Sequence, residues 1–285
     1  MWIKVLRSHQ TRSCRAKSRH LAPRLRSGRT AVLAVLATLT LAGCDATKPR
    51  PTPTPTDDHS FPAADRPVAT IVSSRWSTEE ARDRLNEADK VMDMAEIRPG
   101  MTVADIGAGE GYYTIRLAAR VGADGRVLAQ DIIPAVRDGL AQRVARERLD
   151  NVSVRLGDPD NPKLPDNSFD RIFMVHMYHE IEEPYEFLWR MRPSLRPGGT
   201  VVVVDANRET QNHGTPPDLL KCEFAAVGYR LVTMRDMPSA GGYLAMFRAE
   251  GPRPEPRAIR ACKNRGLPTP AATATPTTRT GHKSV

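Results

Sequence analysis

The run Val103-Ala104-Asp105-Ile106-Gly107-Ala108-Gly109-Glu110-Gly111-Tyr112 constrains this chain more than any other stretch. A short apolar segment enters three glycines at alternate positions and leaves through Tyr113-Thr114-Ile115-Arg116-Leu117-Ala118, which reads as the start of a helix. Glycines at that spacing let a backbone turn tightly at the end of a strand and come close to a ligand. The helix that follows begins with free backbone N–H groups, which favour a polar or anionic group at that spot.

The rest of the chain repeats the strand-then-helix rhythm. Gly125–Asp131 reads as a second strand closing on a carboxylate, twenty residues past Gly111, and Asn151–Asp158 reads as a third. Val201 to Val204 is a continuous apolar run of the kind found in parallel strands buried on both faces. Amphipathic stretches at Tyr113–Val121, Pro134–Leu149, Pro184–Met191 and Pro216–Val227 alternate with these runs, and three of the four open with proline, which suits a first helical turn. Thr215 is placed to cap the last of them. Ser77-Thr78-Glu79-Glu80 predicts a capping box opening a helix to about Met94. Two late strands, Arg230–Met234 and Gly242–Phe247, are joined by a glycine-bearing loop. The expectation is an α/β fold: a mostly parallel sheet with helices on both faces and a C-terminal antiparallel hairpin.

Glycine spacing separates two kinds of nucleotide site. The dinucleotide fingerprint is G-x-G-x-x-G, whereas this chain has G-x-G-x-G, with Tyr112 where the third glycine would stand. The motif resembles the first motif of the class I S-adenosylmethionine-dependent methyltransferases. Leu164-Pro165-Asp166-Asn167-Ser168-Phe169-Asp170 is similar to the run that leads into the fourth strand of many small-molecule members, and Leu195-Arg196-Pro197-Gly198-Gly199 resembles the turn into the fifth. The resemblance covers roughly residues 90 to 250. It implies a Rossmann-like seven-stranded sheet and S-adenosylmethionine as cofactor. Gly107, Gly109 and Gly111 would then line the methionine moiety with Asp105 nearby, Asp131 would hold the ribose and Asp158 the adenine amino group. The residues alone leave other roles open: Asp131 as an acid ahead of the helix at Pro134, and Asp158 as part of an ordinary Gly-Asp turn.

After the fourth strand the chain reads His176-Met177-Tyr178-His179-Glu180, at the edge of the sheet where such folds place their chemistry. His179 and Glu180 are the candidates for acceptor positioning or proton removal; a core histidine and a helix-capping acid are the competing reading. His213-Gly214-Thr215, after the fifth strand, reads either as acceptor wall or as a loop and helix start. His176-x-x-His179 lacks a third ligand fixed by sequence, and no Cys/His zinc spacing is present, so no metal is expected. The methyl acceptor reads as a small molecule: no Asn-Pro-Pro-Tyr-type run is present, and the cysteine cluster expected of an arsenite enzyme is missing.

Residues 1–43 carry nine Lys or Arg and no acid, and end in the apolar Ala31–Ala42 followed by Gly43 and Cys44. A basic stretch, a short apolar stretch and small residues describe a secretory signal. Leu41-Ala42-Gly43-Cys44 resembles the bacterial lipoprotein cleavage motif, which implies lipidation of Cys44 and a membrane-anchored, periplasm-facing protein, or a cytoplasmic one if the leader is not processed. The formal net charge of +9 belongs to this leader: the remainder balances 33 basic against 33 acidic residues, so there is no charge argument for nucleic acid. A Pro/Thr-rich tether is expected over 44–75, the methyltransferase-like domain over 76–250 and a disordered tail over 251–285. Cys222 and Cys262 could pair in an oxidising compartment, but the position of Cys262 in the expected tail favours two spare thiols. An exported lipoprotein that keeps the fold as a binding or inactive module is the alternative function. Oligomeric state is not addressed by the sequence.

Overall fold

The computed structural model describes residues 61–71 and 78–264. The leader, Cys44 and most of the expected tether lie outside the described residues, as does the chain from 265 onward. Seven strands form one sheet: β1 (Thr102–Ile106), β2 (Arg126–Asp131), β3 (Val152–Leu156), β4 (Phe169–Val175), β5 (Leu195–Asp205), β6 (Tyr229–Met237) and β7 (Gly242–Ala249). Their order is β3-β2-β1-β4-β5-β7-β6, with β7 antiparallel to both of its neighbours and all other pairs parallel. Ile106 sits opposite both Gln130 and Met174, and Val175 opposite Val204, so β1, β2, β4 and β5 end at nearly one level.

The continuous apolar runs have a simple cause. Alternate residues of β4 and β5 enter different cores: Ile172, Met174, Val201 and Val203 join a cluster with Tyr178, Phe187 and Phe224 on one face. Phe173, Val202 and Val204 join Val91, Met92 and Leu117 on the other. Both faces are therefore dry, and a strand with a polar side would leave groups unsatisfied. The described residues form six α-helices: α1 (Glu79–Arg84), α2 (Glu87–Met94), α3 (Tyr112–Val121), α4 (Pro134–Arg146), α5 (Pro184–Met191) and α6 (Pro217–Ala226).

Several expectations need correction. The capping box forms in part, with the Thr78 hydroxyl accepting from the Ala81 N–H at 3.3 Å. The helix it opens then breaks at Leu85–Asn86, where Asn86 takes a left-handed φ of 53°, a conformation that asparagine tolerates better than most residues. Thr215 does not cap α6. Pro216 occupies that position, and the Thr215 hydroxyl instead donates to Asp205 Oδ2 at 2.7 Å.

The domain also runs beyond 76–250 at both ends. From Phe61 the expected tether is packed on the domain: Arg66 donates to Glu223 Oε1 at 2.9 Å, and the Ala69 N–H donates to the His179 carbonyl at 3.1 Å. Within the expected disordered tail, Trp189 Nε1–H donates to the Pro254 carbonyl, the Arg253 guanidinium lies 3.3 Å from the Trp189 ring centroid, and Ile259 is buried. Cys222 and Cys262 form a disulfide rather than two spare thiols. Composition pointed to disorder because 251–264 has few large apolar residues; a covalent bond and one stacked arginine supply the anchoring instead. A parallel bridge pairs Asp65 with Lys263, so the two terminal segments lie side by side. Among the described residues no helix is long and apolar enough to cross a membrane.

Candidate functional site

Neighbouring strands β1 and β4 are where the sheet order changes direction, and the loops beyond their C-terminal ends part there to leave a crevice. A cavity of about 1190 Å³ occupies it, with the β1 and β2 loops on one side and the β4 and β5 loops on the other. Its lining includes Asp105, Gly107, Gly109 and Asp131, together with His179, Glu180 and His213.

The three glycines turn out to do different jobs. All have positive φ: 67° at Gly107, 57° at Gly109 and 93° at Gly111. A Cβ on Gly109 would meet open space, so this residue keeps the cavity floor low. A Cβ on Gly107 would stand 3.0 Å from Met177 Cγ, which closes the floor against the β4 loop. Gly111 does not line the cavity. It precedes α3, and a Cβ there would come within 2.5 Å of Leu140 Cδ1 on α4. Gly111 thus serves a helix-to-helix contact rather than the cavity wall.

Asp131 ends β2, and both its oxygens face the loop. Oδ2 accepts from the Gly109 N–H at 3.0 Å and Oδ1 from the Ile133 N–H at 2.9 Å. Each carboxylate oxygen keeps further acceptor capacity toward the cavity. Beside it, Gln130 Oε1 accepts weakly from the Gly107 N–H at 3.4 Å, while Gln130 Nε2 is buried with no hydrogen-bond partner among the described residues. Asp105 is buried and accepts from the Thr114 hydroxyl at 2.6 Å; burial pushes its carboxyl up to about 6. Asp158 is not brought to the site. Its backbone exchanges hydrogen bonds with Asn161 in a turn, and its carboxylate pairs with Lys163 Nζ at 2.7 Å, so only the following Pro159 reaches the cavity.

Helix α1 covers the glycine loop from above. Arg143 of α4 pairs with Glu79 and donates to the Glu110 carbonyl at 2.9 Å, and Arg116 of α3 pairs with both Glu79 and Asp83. Arg82 lies over the Tyr112 ring at 3.8 Å and donates to Glu87. Burial alone raises the Glu87 carboxyl, but His176 and Arg82 outweigh it and hold it at about 2. His176 therefore faces the α2 carboxylate, with Nε2 3.8 Å from Glu87 Oε1.

At the other end, His179 is 2% exposed and its Nδ1 lies 3.0 and 3.1 Å from the two oxygens of Asp205. Asp205 also accepts from the Ala206 N–H at 2.8 Å and from the Thr215 hydroxyl. The His179 Nδ1–H therefore donates to Asp205, which fixes the ring, and Nε2 on the far side is buried with no hydrogen-bond partner among the described residues. The His213 ring stands edge-on to His179, 5.5 Å away between centroids, and desolvation together with His179 holds its imidazole below the ordinary value. Asp205 was not among the residues singled out from sequence, although its signal is the one that marked Asp131: a carboxylate closing an apolar strand.

Residues 103–199 match the family described as Methyltransferase domain. The fold is the Rossmann-like methyltransferase fold, and S-adenosylmethionine is the cofactor that this family uses. The chain is similar to the SAM-dependent methyltransferase of Aquifex aeolicus (TM-score 0.50, 24% identity, covering 60% of this chain and 97% of that one). Among curated proteins it is 32% identical over 111 residues to a protein-L-isoaspartate O-methyltransferase of Methanothrix thermoacetophila, covering 39% of this chain and 50% of the relative. It is 39% identical over 83 residues to nocamycin O-methyltransferase of Saccharothrix syringae, covering 29% and 30%. The chain thus spans half or less of the length of these two curated relatives. The cavity has a cradle that fits this cofactor: acceptor oxygens on Asp131, an orphaned donor on Gln130 and open space above Gly109.

Proposed function

We propose that this chain transfers the methyl group of S-adenosylmethionine to a small-molecule acceptor. Asp131, Gly107 and Gly109 take the cofactor, with Asp105 beneath them, and His179 and Glu180 face the acceptor. The observation that carries this reading is the division of one cavity between two loop pairs. Polar groups suited to a nucleoside lie at the β1 and β2 ends, and a buried imidazole lies at the β4 and β5 ends. Transfer is an in-line displacement: an acceptor lone pair attacks the methyl carbon while the carbon–sulfur electron pair returns to sulfur, discharging the sulfonium. Alignment is the main requirement on the protein. The relatives' names point to different acceptors, a protein isoaspartate in one and nocamycin in another, so the acceptor class rests on the cavity and on the small-molecule motifs.

Export of the chain through its leader, with Cys44 as a lipid anchor, belongs to the same proposal. The Cys222–Cys262 disulfide supports it, because such bonds persist in oxidising compartments.

Calorimetric titration of S-adenosylmethionine and its demethylated product tests the cofactor reading. Binding is expected, and Asp131→Ala is expected to weaken it by about 1–3 kcal/mol, the scale of a lost hydrogen bond to a charged group. No binding by the folded protein, or equal binding by the variant, would overturn it.

A further inference from the structure

We propose that His179, Glu180 and His213 bind a divalent first-row transition ion, zinc by the preference of their donor set, at the acceptor end of the cavity. One ligand atom from each of these residues lies within 4.8 Å of the others. Two imidazoles and a carboxylate are a recurring set for catalytic zinc, which leaves a fourth position open.

The second observation is independent of that convergence. His179 is 2% exposed, lines the cavity, and its Nε2 is buried with no hydrogen-bond partner among the described residues. A buried polar atom left without a partner is destabilising, and a fold retains it for a use. Its other nitrogen is gripped by Asp205, itself fixed by Thr215 and the Ala206 N–H. A carboxylate behind the far nitrogen of a ligating histidine is the usual outer arrangement of a metal site: it sets the tautomer, aims the ring and makes the free nitrogen more basic. Tetrahedral zinc with bonds of about 2.1 Å needs donor atoms about 3.4 Å apart. The widest separation must therefore close by at most about 1.4 Å, within reach of side-chain rotation at the half-buried Glu180 and His213.

The ligands come from the loops after β4 and β5, so the open position faces the cavity. An acceptor carrying an oxygen or a thiol would occupy it, lose its proton to solvent more readily on the ion, and present a lone pair to the methyl carbon. That use rests on the methyl-transfer reading above; the ion site itself does not.

The test is titration of the untagged, metal-stripped full chain with Co2+, read by its visible absorption, followed by displacement with Zn2+. One tightly held Co2+ per chain with tetrahedral bands is expected, bleached by stoichiometric Zn2+. Glu180→Gln and His213→Ala, which leave the buried His179–Asp205 pair in place, are expected to weaken binding about tenfold or more. Circular dichroism confirms their folding. A folded wild-type chain that takes up no Co2+ or Zn2+, or binding unchanged in both variants, overturns the site. S-adenosylmethionine is titrated into the same samples: cobalt bound without cofactor overturns the methyl-transfer reading and supports the ion site, while cofactor bound without cobalt does the reverse.

Discussion

Single residues in the glycine loop separate stability from binding. Gly111→Ala forces a side chain into a left-handed conformation and onto Leu140, so a loss of about 2–3 kcal/mol is expected in urea unfolding. Gly109→Ala carries the conformational cost alone, about 1–2 kcal/mol, because its methyl enters open space. That space is the cavity, so Gly109→Ala is expected to lower cofactor affinity more than stability, and Gly111→Ala the reverse. Equal effects of the two on calorimetry and unfolding would contradict this division. The glycine spacing was legible in the sequence, but the division was not: alternate glycines look alike until the neighbours of each are known. Asp158 stands off the cavity for a related reason, since the residue that answers its charge, Lys163, sits in the same turn.

Two buried carboxyls give stability a pH dependence of opposite signs. Asp105 has its folded pKa raised from 3.8 to about 6, so between those values the folded chain holds a proton that the unfolded chain has lost. Its contribution therefore declines as pH rises through that window, by about 3 kcal/mol in all. Glu87 is depressed from 4.5 to about 2, so its contribution is complete above 4.5 and disappears as pH falls toward 2. Denaturant unfolding across pH 2–7 is expected to show both limbs. Asp105→Asn should flatten the upper one and leave the lower.

At the scale of elements, the sheet was readable because its central strands β4 and β5 are buried on both faces and α4, α5 and α6 announce themselves with proline. The broken helix α1–α2 was not, because one asparagine with a left-handed φ divides a pattern that is amphipathic throughout. The acceptor loops were readable only in halves. His179 and Glu180 follow β4, whereas Asp205 and His213 come from β5 and its loop, and no local spacing joins them. The disulfide ties α6 to the C-terminal segment across 40 residues. Closing a loop of that length restrains the unfolded chain by about 4 kcal/mol. Cys262→Ser, or reduction of the native protein, is expected to lower stability by about 2–4 kcal/mol without altering cofactor titration, since neither cysteine lines the cavity.

At the scale of the whole molecule, the charge balance assigns the basic excess to residues 1–43 and leaves the remainder neutral. Cell fractionation checks the proposed anchor: Cys44→Ser is expected to move the protein from the membrane to the soluble fraction, and retention of the variant on membranes would sink that reading. The bridge between Asp65 and Lys263 has a different consequence. Bridged chains run about 4.8 Å apart, so the two ends of the described domain are stitched to each other, side by side and running the same way. A domain closed that way behaves like a ring fastened by a clasp: neither terminal segment can fray without opening the contact that holds the other.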